Sequence, residues 1–432
     1  MPLPRLHRHH ERVRRLLAAI ASLALTAALL DLGTSSAAAA RTTALPAPQG
    51  RGTCTAVPSG SGAPKGAAWA CYEAKPGASA PAPATARALA PAPRDDQPDP
   101  ESPEALCGKQ PPDNSTRLVY CIEKELLWIY YGPDQKEVIG AAAGRLYIYS
   151  KLKAVPHSNW KESVIVTLDS KTENIPAVEL VLQAICTGQC SASAPLVAKL
   201  SKVGEHVGGT IDYNSPVGPG GEALVQPQYH AMLNLLVPGV PLPPANNDWV
   251  GPQIRCDGKT GDWTGCVIPE HMANVTIRRS LYRAAAITYE WAQNNLTTLS
   301  MGTKNKPLHY KKMTEEEKNR SRDLTCNRAP DRFVKDPSVP DDSCDEFPFA
   351  ATQEGGKAGT LCVDILPQQV GGVWDVSNVK VLRNGNVKTN APCVRGHVTN
   401  KDNVDAGSKE FGAAVRSDRI LDGEAFQVII AP

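Results

Sequence analysis

The chain has 432 residues, 42% hydrophobic and 21% charged, with a formal net charge of +2. That length allows two or three domains. The near-balance of charge excludes a protein drawn to polyanions by its bulk charge.

Residues 1–40 read as a signal peptide. Arg5, Arg8, Arg12, Arg14 and Arg15 form a basic stretch, Leu16 to Leu30 is apolar, and Ala38-Ala39-Ala40 offers a small-residue cleavage site. Arg14-Arg15 also allows a twin-arginine export route. The apolar run is short for a membrane span and is broken by Asp31. No later segment is apolar enough to cross a bilayer, so no membrane association is expected once the signal is removed. Without those five arginines the remaining chain is close to neutral, and residues 281–432 hold twenty basic and twenty acidic residues. Phosphate affinity must then come from a local patch and a bound cation.

All twelve cysteines follow the leader. An even number in an exported chain reads as a disulfide framework. Pairing of sequence neighbours gives Cys54–Cys71, Cys107–Cys121, Cys186–Cys190, Cys256–Cys266, Cys326–Cys344 and Cys362–Cys393, although sequence does not fix connectivity. No Cys-x-x-Cys pair is present, which disfavours a zinc site.

Residues 41–106 are rich in Ala, Pro, Gly and Ser and read as a low-complexity linker, with Cys54 and Cys71 stapling one loop inside it. Residues 107–276 form a β-rich, sandwich-like domain of unassigned role. Leu118–Ile122, Leu126–Tyr131, Gly144–Tyr149 and Ser163–Leu168 are its clearest strands. Its Trp and Tyr residues read as core more readily than as a ligand surface. A third domain spans 277–432. The spacing of Ile277, Leu281, Ala284, Ala285, Thr288, Trp291 and Ala292 predicts a helix over about 277–296. Thr314 with Glu317 predicts a capping box opening a second helix that runs to about Thr325.

Two polar clusters follow. The first is Cys344-Asp345-Glu346-Phe347-Pro348-Phe349-Ala350, closed by Gln353-Glu354-Gly355-Gly356; the second is Asp402-Asn403-Val404-Asp405-Ala406-Gly407-Ser408. In this order and spacing they resemble the signature of the NucA/NucB family of secreted bacterial deoxyribonucleases: Asp-Glu-aromatic-Pro-x-Ala, Glu-Gly-Gly, then Asp-Asn-x-x-Ala-Gly-Ser. The short Asn327-Arg328 pair is also seen ahead of that family's acidic motif, and Arg419-Ile420-Leu421-Asp422-Gly423 resembles a C-terminal stretch of actinobacterial members. The resemblance covers the last third of the chain. Two departures stand out: Glu354 and Asn403 are 49 residues apart where short members have about fifteen, and Gln353 replaces an often acidic residue. The extra segment carries Cys362 and Cys393 and reads as a stapled hairpin through Val379 to Val387, turning at Asn384-Gly385.

The resemblance implies an α+β chain whose C-terminal domain is ββα-metal-like, behind a β-rich domain and stapled by disulfides. It implies a secreted, metal-dependent endonuclease acting on DNA with little sequence preference, for scavenging or as a toxin. Such chemistry needs a base for the attacking water and a divalent cation, Mg²⁺ or Mn²⁺, held by hard oxygen ligands. Asp345 or Glu346 would stand where ββα-metal enzymes carry a histidine base, with Asp345 favoured and Glu346 metal-associated or structural. Adjacent strand residues face opposite ways, so only one of the two meets the cation. Asn403, just ahead of a short helix over about 408–415, would be the metal-binding asparagine. Glu354 would act in catalysis or as a further ligand, Glu410 would hold a metal-bound water, and Arg419 would contact substrate phosphate. His397 is an alternative base. The partner is DNA, and no obligate protein partner is implied. A competing reading is a non-catalytic secreted binding protein with a degenerate nuclease-like module. No Gly-x-Ser-x-Gly or His-Glu-x-x-His is present to suggest another hydrolase.

Overall fold

A computed structural model describes residues 53–77, 106–152, 158–236, 245–261, 263–297, 301–384 and 390–432. The leader at 1–40 lies outside these residues, as does most of the region read as a linker. The described part of that region is not a linker. Strands β1 (Thr53–Ala56) and β2 (Trp69–Pro76) pair with each other, and Trp69, Cys71 and Tyr72 are buried. Two aromatic residues and the Cys54–Cys71 disulfide supply the fixed contacts that the surrounding Ala and Pro lack.

These strands open a sheet completed by β3 (Val119–Tyr131), β4 (Val138–Lys151), β5 (Asn159–Lys171) and, later in the chain, β9 (His206–Asn214) and β7 (Ser191–Ala192), in the order β1-β2-β3-β4-β5-β9-β7. A second sheet orders β13 (Gly265–Val267), β12 (Ile254–Asp257), β10 (Glu222–Leu236), β6 (Ala177–Thr187) and β8 (Leu196–Leu200), with β11 (Ala245–Val250) also on β10. Strand β10 shows why the sheets stack. Ala223, Val225, Tyr229, Ala231, Leu233 and Leu235 are buried at every second position while their neighbours face outward. They share one core with Trp128, Leu146 and Val166 of the first sheet.

Inside that core Glu162 is fully buried and accepts hydrogen bonds from Tyr120 (2.5 Å), Tyr213 (2.9 Å) and Tyr229. Burial pushes its carboxyl up to about 7 against the pull of the three hydroxyls. The folded protein therefore holds this proton after the unfolded chain has released it. Stability from this group is full below about pH 4.5 and is lost as pH rises to about 7. Urea denaturation at pH 5 and pH 8 should show a drop in stability for the wild type that is smaller in Glu162→Gln. Equal drops in both proteins would refute the assignment.

The C-terminal part of the chain carries its own strands and helices. Strand β14 (Ala273–Arg278) takes up Ile277, and pairs with β20 (Ala425–Ala431), which also pairs with β15 (Leu308–His309). Helix α1 follows over Arg279–Asn295, and helix α2, Glu315–Arg322, opens with the Thr314–Glu317 capping box and passes into a π-turn through Asn327. A four-stranded sheet orders β16 (Asp342–Phe347), β19 (Val394–Thr399), β17 (Val363–Val370) and β18 (Val373–Arg383). Gly396 of β19 lets α1 lie close, because a Cβ there would stand 2.2 Å from Thr288 Oγ1. The added segment contains a hairpin that turns at Gly371-Gly372, both at positive φ; the turn read at Asn384-Gly385 falls on Gly385, and Gly385 to Val387 lie outside the described residues. After β19 the chain is helical at once: α3 (Asn400–Asn403), a π-segment (Val404–Glu410) and α4 (Phe411–Ser417). Thr399 caps this run by accepting from the Asp402 amide, so helix begins well ahead of Ser408.

The chain is thus α+β, mostly strands with few helices, and carries six disulfides in the six neighbour pairs named above. Among the described residues no helix is long and apolar enough to cross a membrane.

Candidate functional site

Strand β16, its antiparallel partner β19 and the helix that follows place Asp345 beside Asn403. Successive residues of β16 face opposite ways, and their contacts show which. Asp345 and Phe347 meet Tyr289 of α1, by a hydrogen bond and a ring stack at 5.0 Å. Asp342, Cys344 and Glu346 face the other side, toward His397, Cys326 and Arg322.

Asp345 is 2% exposed and lines a cleft of about 2010 Å³. Its Oδ1 accepts from Tyr289 Oη at 3.0 Å, while Oδ2 has no hydrogen-bond partner among the described residues. Burial, then the charge of Glu346 and more distantly that of Asp402, holds its carboxyl well above the usual carboxylate range; the Tyr289 hydrogen bond opposes this.

Asn403 lines the same cleft. Its Nδ2 donates to Ser343 Oγ (2.8 Å) and to the Cys344 carbonyl (3.0 Å). A carbonyl only accepts, so the amide orientation is fixed and Oδ1 is the atom left for a ligand. Asp402 is buried, and the partner of its Oδ1 is Arg283 Nη1 at 3.6 Å. Arg283 sits inside α1 at φ +42°, a strained conformation of the kind found near functional sites.

Glu346 has its carboxyl pushed up to about 7 by burial, with Arg322 (3.9 Å) opposing. It lies within 4.8 Å of the sulfurs of Cys326 and Cys344. Those sulfurs are bonded to each other, so they present no thiolate and the group does not fit a metal ion.

Four residues read from sequence fall elsewhere. Glu354 does not line the cleft; its carboxylate accepts from the His309 amide (3.0 Å) and faces His309 Nδ1 (2.7 Å), anchoring β15. Glu410 accepts from Tyr282 Oη at 2.5 Å, also away from the cleft lining. Arg419 is fully buried against Asp257, too far from solvent to take a phosphate. His397 is buried, bonded to Asp342 Oδ2 (2.6 Å) and packed on Phe333, so it is not presented as a base. Glu354→Gln should therefore lower the melting temperature by a few degrees, on the order of 1 kcal/mol. The divalent-ion concentration for half-maximal activity should stay unchanged; a large rise in that concentration would restore Glu354 as a ligand.

Of the acid's neighbours, Tyr289 went unread in the sequence, while Asp402 entered only as the first residue of the second cluster. Tyr289 was findable: it shares the helical stripe of Ala285 and Ala292, and a buried tyrosine hydroxyl needs a partner.

The cleft is lined by Lys312, Lys318, Arg322, Arg332, Lys335 and Arg416, interleaved with the carboxylates of Glu222, Glu315, Asp341, Asp342, Glu346 and Asp422 as well as Asp345, so both signs of charge face it. The family model described as deoxyribonuclease NucA/NucB matches residues 296–379. The match takes in Asp345, Glu346 and Glu354 and ends before Asn403. No curated protein and no solved structure matches the chain.

Proposed function

We propose that the protein is an exported, metal-dependent endonuclease that hydrolyses DNA with little sequence preference. The observation that carries this reading is the placing of Asp345 and Asn403 together on the cleft wall, joined to the family match over 296–379. Asp345 is the base. Tyr289 holds Oδ1 and leaves Oδ2 to take the proton of an attacking water. Its raised carboxyl makes it, once deprotonated, a stronger base than an ordinary aspartate. Asn403 Oδ1 fits a hard divalent cation, Mg²⁺ or Mn²⁺, with water filling the other positions, and such an ion would neutralise charge on the phosphate. Lys and Arg side chains of the cleft lining hold the strand by its backbone, which carries no sequence information. Six disulfides and the leader read at 1–40 support export to an oxidising compartment.

The test is plasmid nicking by the oxidised protein with Mg²⁺, with Mn²⁺ and with EDTA. Nicking that needs the ion supports the reading. Folded protein that leaves the plasmid intact with every divalent ion would make the chain a binding protein instead.

A further inference from the structure

The β-rich half has no role from sequence, yet it builds part of the cleft. Pro219, Gly220, Glu222 and Gly258 to Gly261 line the same cavity as Asp345 and Asn403. The 258–261 segment leaves the end of β12 at a bend held rigid in three ways. Cys256–Cys266 staples its base. Gly258 exchanges backbone hydrogen bonds with Gly220 and Gly221, and a Cβ on it would meet the Gly218 carbonyl at 2.3 Å. Arg419, from the other half, bonds Asp257 at one end of the segment and the Trp263 carbonyl (3.1 Å) beyond the other. Gly261 approaches Arg416 of α4, another residue of the cleft lining. On this fixed frame two side chains are left outside. Lys259 is half-exposed and pairs with Glu222 at 2.5 Å. Trp263 is 55% exposed in a protein whose other large aromatics mostly sit in the core. Trp263 follows two residues after Gly261, the last residue of this segment to line the cleft, and an exposed indole there is suited to stack on a base that is out of the duplex.

We propose that Lys259 and Trp263 form a substrate-holding element of the nuclease, in which Lys259 meets a backbone phosphate and Trp263 stacks on an unpaired base. The β-rich half thereby gives the enzyme a grip on single-stranded or frayed DNA. This rests on the nuclease reading above.

The experiment measures fluorescence anisotropy of a labelled 12-nucleotide thymidine strand and of a labelled duplex with the full chain carrying Asp345→Asn, to prevent cutting. Trp263→Ala should weaken single-strand binding by about fivefold to 100-fold and duplex binding by less than about twofold, with Trp263→Phe retaining most of the affinity. Lys259→Ala should lower the slope of log affinity against log salt by about 0.7 on the single strand. Both side chains are exposed, so unchanged melting temperatures are expected and serve as the fold control. Equal single-strand affinities in Trp263→Ala and its parent would overturn the proposal while leaving the nuclease intact. A wild-type protein that neither cuts nor binds DNA would remove the nuclease reading and the proposal with it.

Discussion

Asp345→Asn is expected to reduce DNA cleavage by about 100-fold to 10,000-fold, the range contributed by a positioned general base. The substitution keeps the side chain's shape and an acceptor for Tyr289 Oη, so the fold should survive. Stability should in fact rise at alkaline pH in the absence of divalent ions. The wild-type carboxyl is raised by burial and by the negative charges of Glu346 and Asp402. Its folded form therefore binds a proton that the unfolded chain releases near pH 4, and the wild type loses stability as pH climbs through the raised value. The asparagine does not ionise and escapes that loss. Activity runs the other way, since the base works only when deprotonated, so the acid limb of the pH–rate profile should lie well above the range of a free aspartate. Asn403→Ala should differ in kind: its defect should shrink as Mg²⁺ or Mn²⁺ concentration rises, whereas that of Asp345→Asn should not. Plasmid nicking across metal concentration and pH, with urea denaturation at pH 8 in EDTA, reads all of these. Full activity in Asp345→Asn would mean that the base lies elsewhere, with Glu346 the first residue to try.

What was legible in the sequence was whatever is encoded in a short stretch. The capping box at Thr314 and Glu317 needs only four residues and is present as expected. The six disulfides join sequence neighbours, at most 31 residues apart. The alternation along β16 separated Asp345 from Glu346 before any coordinates, because strand geometry alone demands it. The residues that lie away from the cleft share a different cause. Glu354, Glu410 and Arg419 each sit near the signature in sequence, but each found a nearer partner in space: His309, Tyr282 and Asp257. A charged side chain that must be buried takes the closest complementary group. That group lies 45 residues away for Glu354, 128 for Glu410 and 162 for Arg419, beyond any local pattern. The strands at 53–56 and 69–76 were hidden for a related reason. Their composition is poor, and they are strands because β3 supplies a partner along the whole length of β2.

The same long-range pairing makes Arg419→Ala the substitution with the largest expected loss of stability, about 3–5 kcal/mol. Arg419 and Asp257 are both 0% exposed. The guanidinium bonds Asp257 through Oδ1 (2.6 Å), Oδ2 (3.0 Å) and the backbone carbonyl (2.7 Å). The Arg419 carbonyl in turn accepts from Arg255 (2.5 Å) and Arg117 (3.3 Å), whose own guanidinia reach Glu424 at 3.0 and 2.7 Å. Removal of the guanidinium leaves the Asp257 carboxylate buried with Arg255 at 3.4 Å as its remaining ionic contact. Most of the loss comes from that stranded charge, not from the attraction itself, because burying both partners already required their desolvation. A double variant, Arg419→Met with Asp257→Leu, should therefore recover much of what Arg419→Ala loses. Arg419 also stands at φ +49°, where alanine is strained and glycine is not. Arg419→Gly should accordingly be the milder of the two single variants despite its freer unfolded chain. The pair joins β12 to the turn after α4, so urea unfolding of Arg419→Ala should broaden or split as the two halves lose their coupling. Loss of the clip on Asp257 and Trp263 should also weaken single-strand binding as Trp263→Ala does, while nicking at saturating DNA is retained. A single sharp transition within about 1 kcal/mol of the wild type would show that the halves are held together by their apolar contacts and that the buried pair only sets their register.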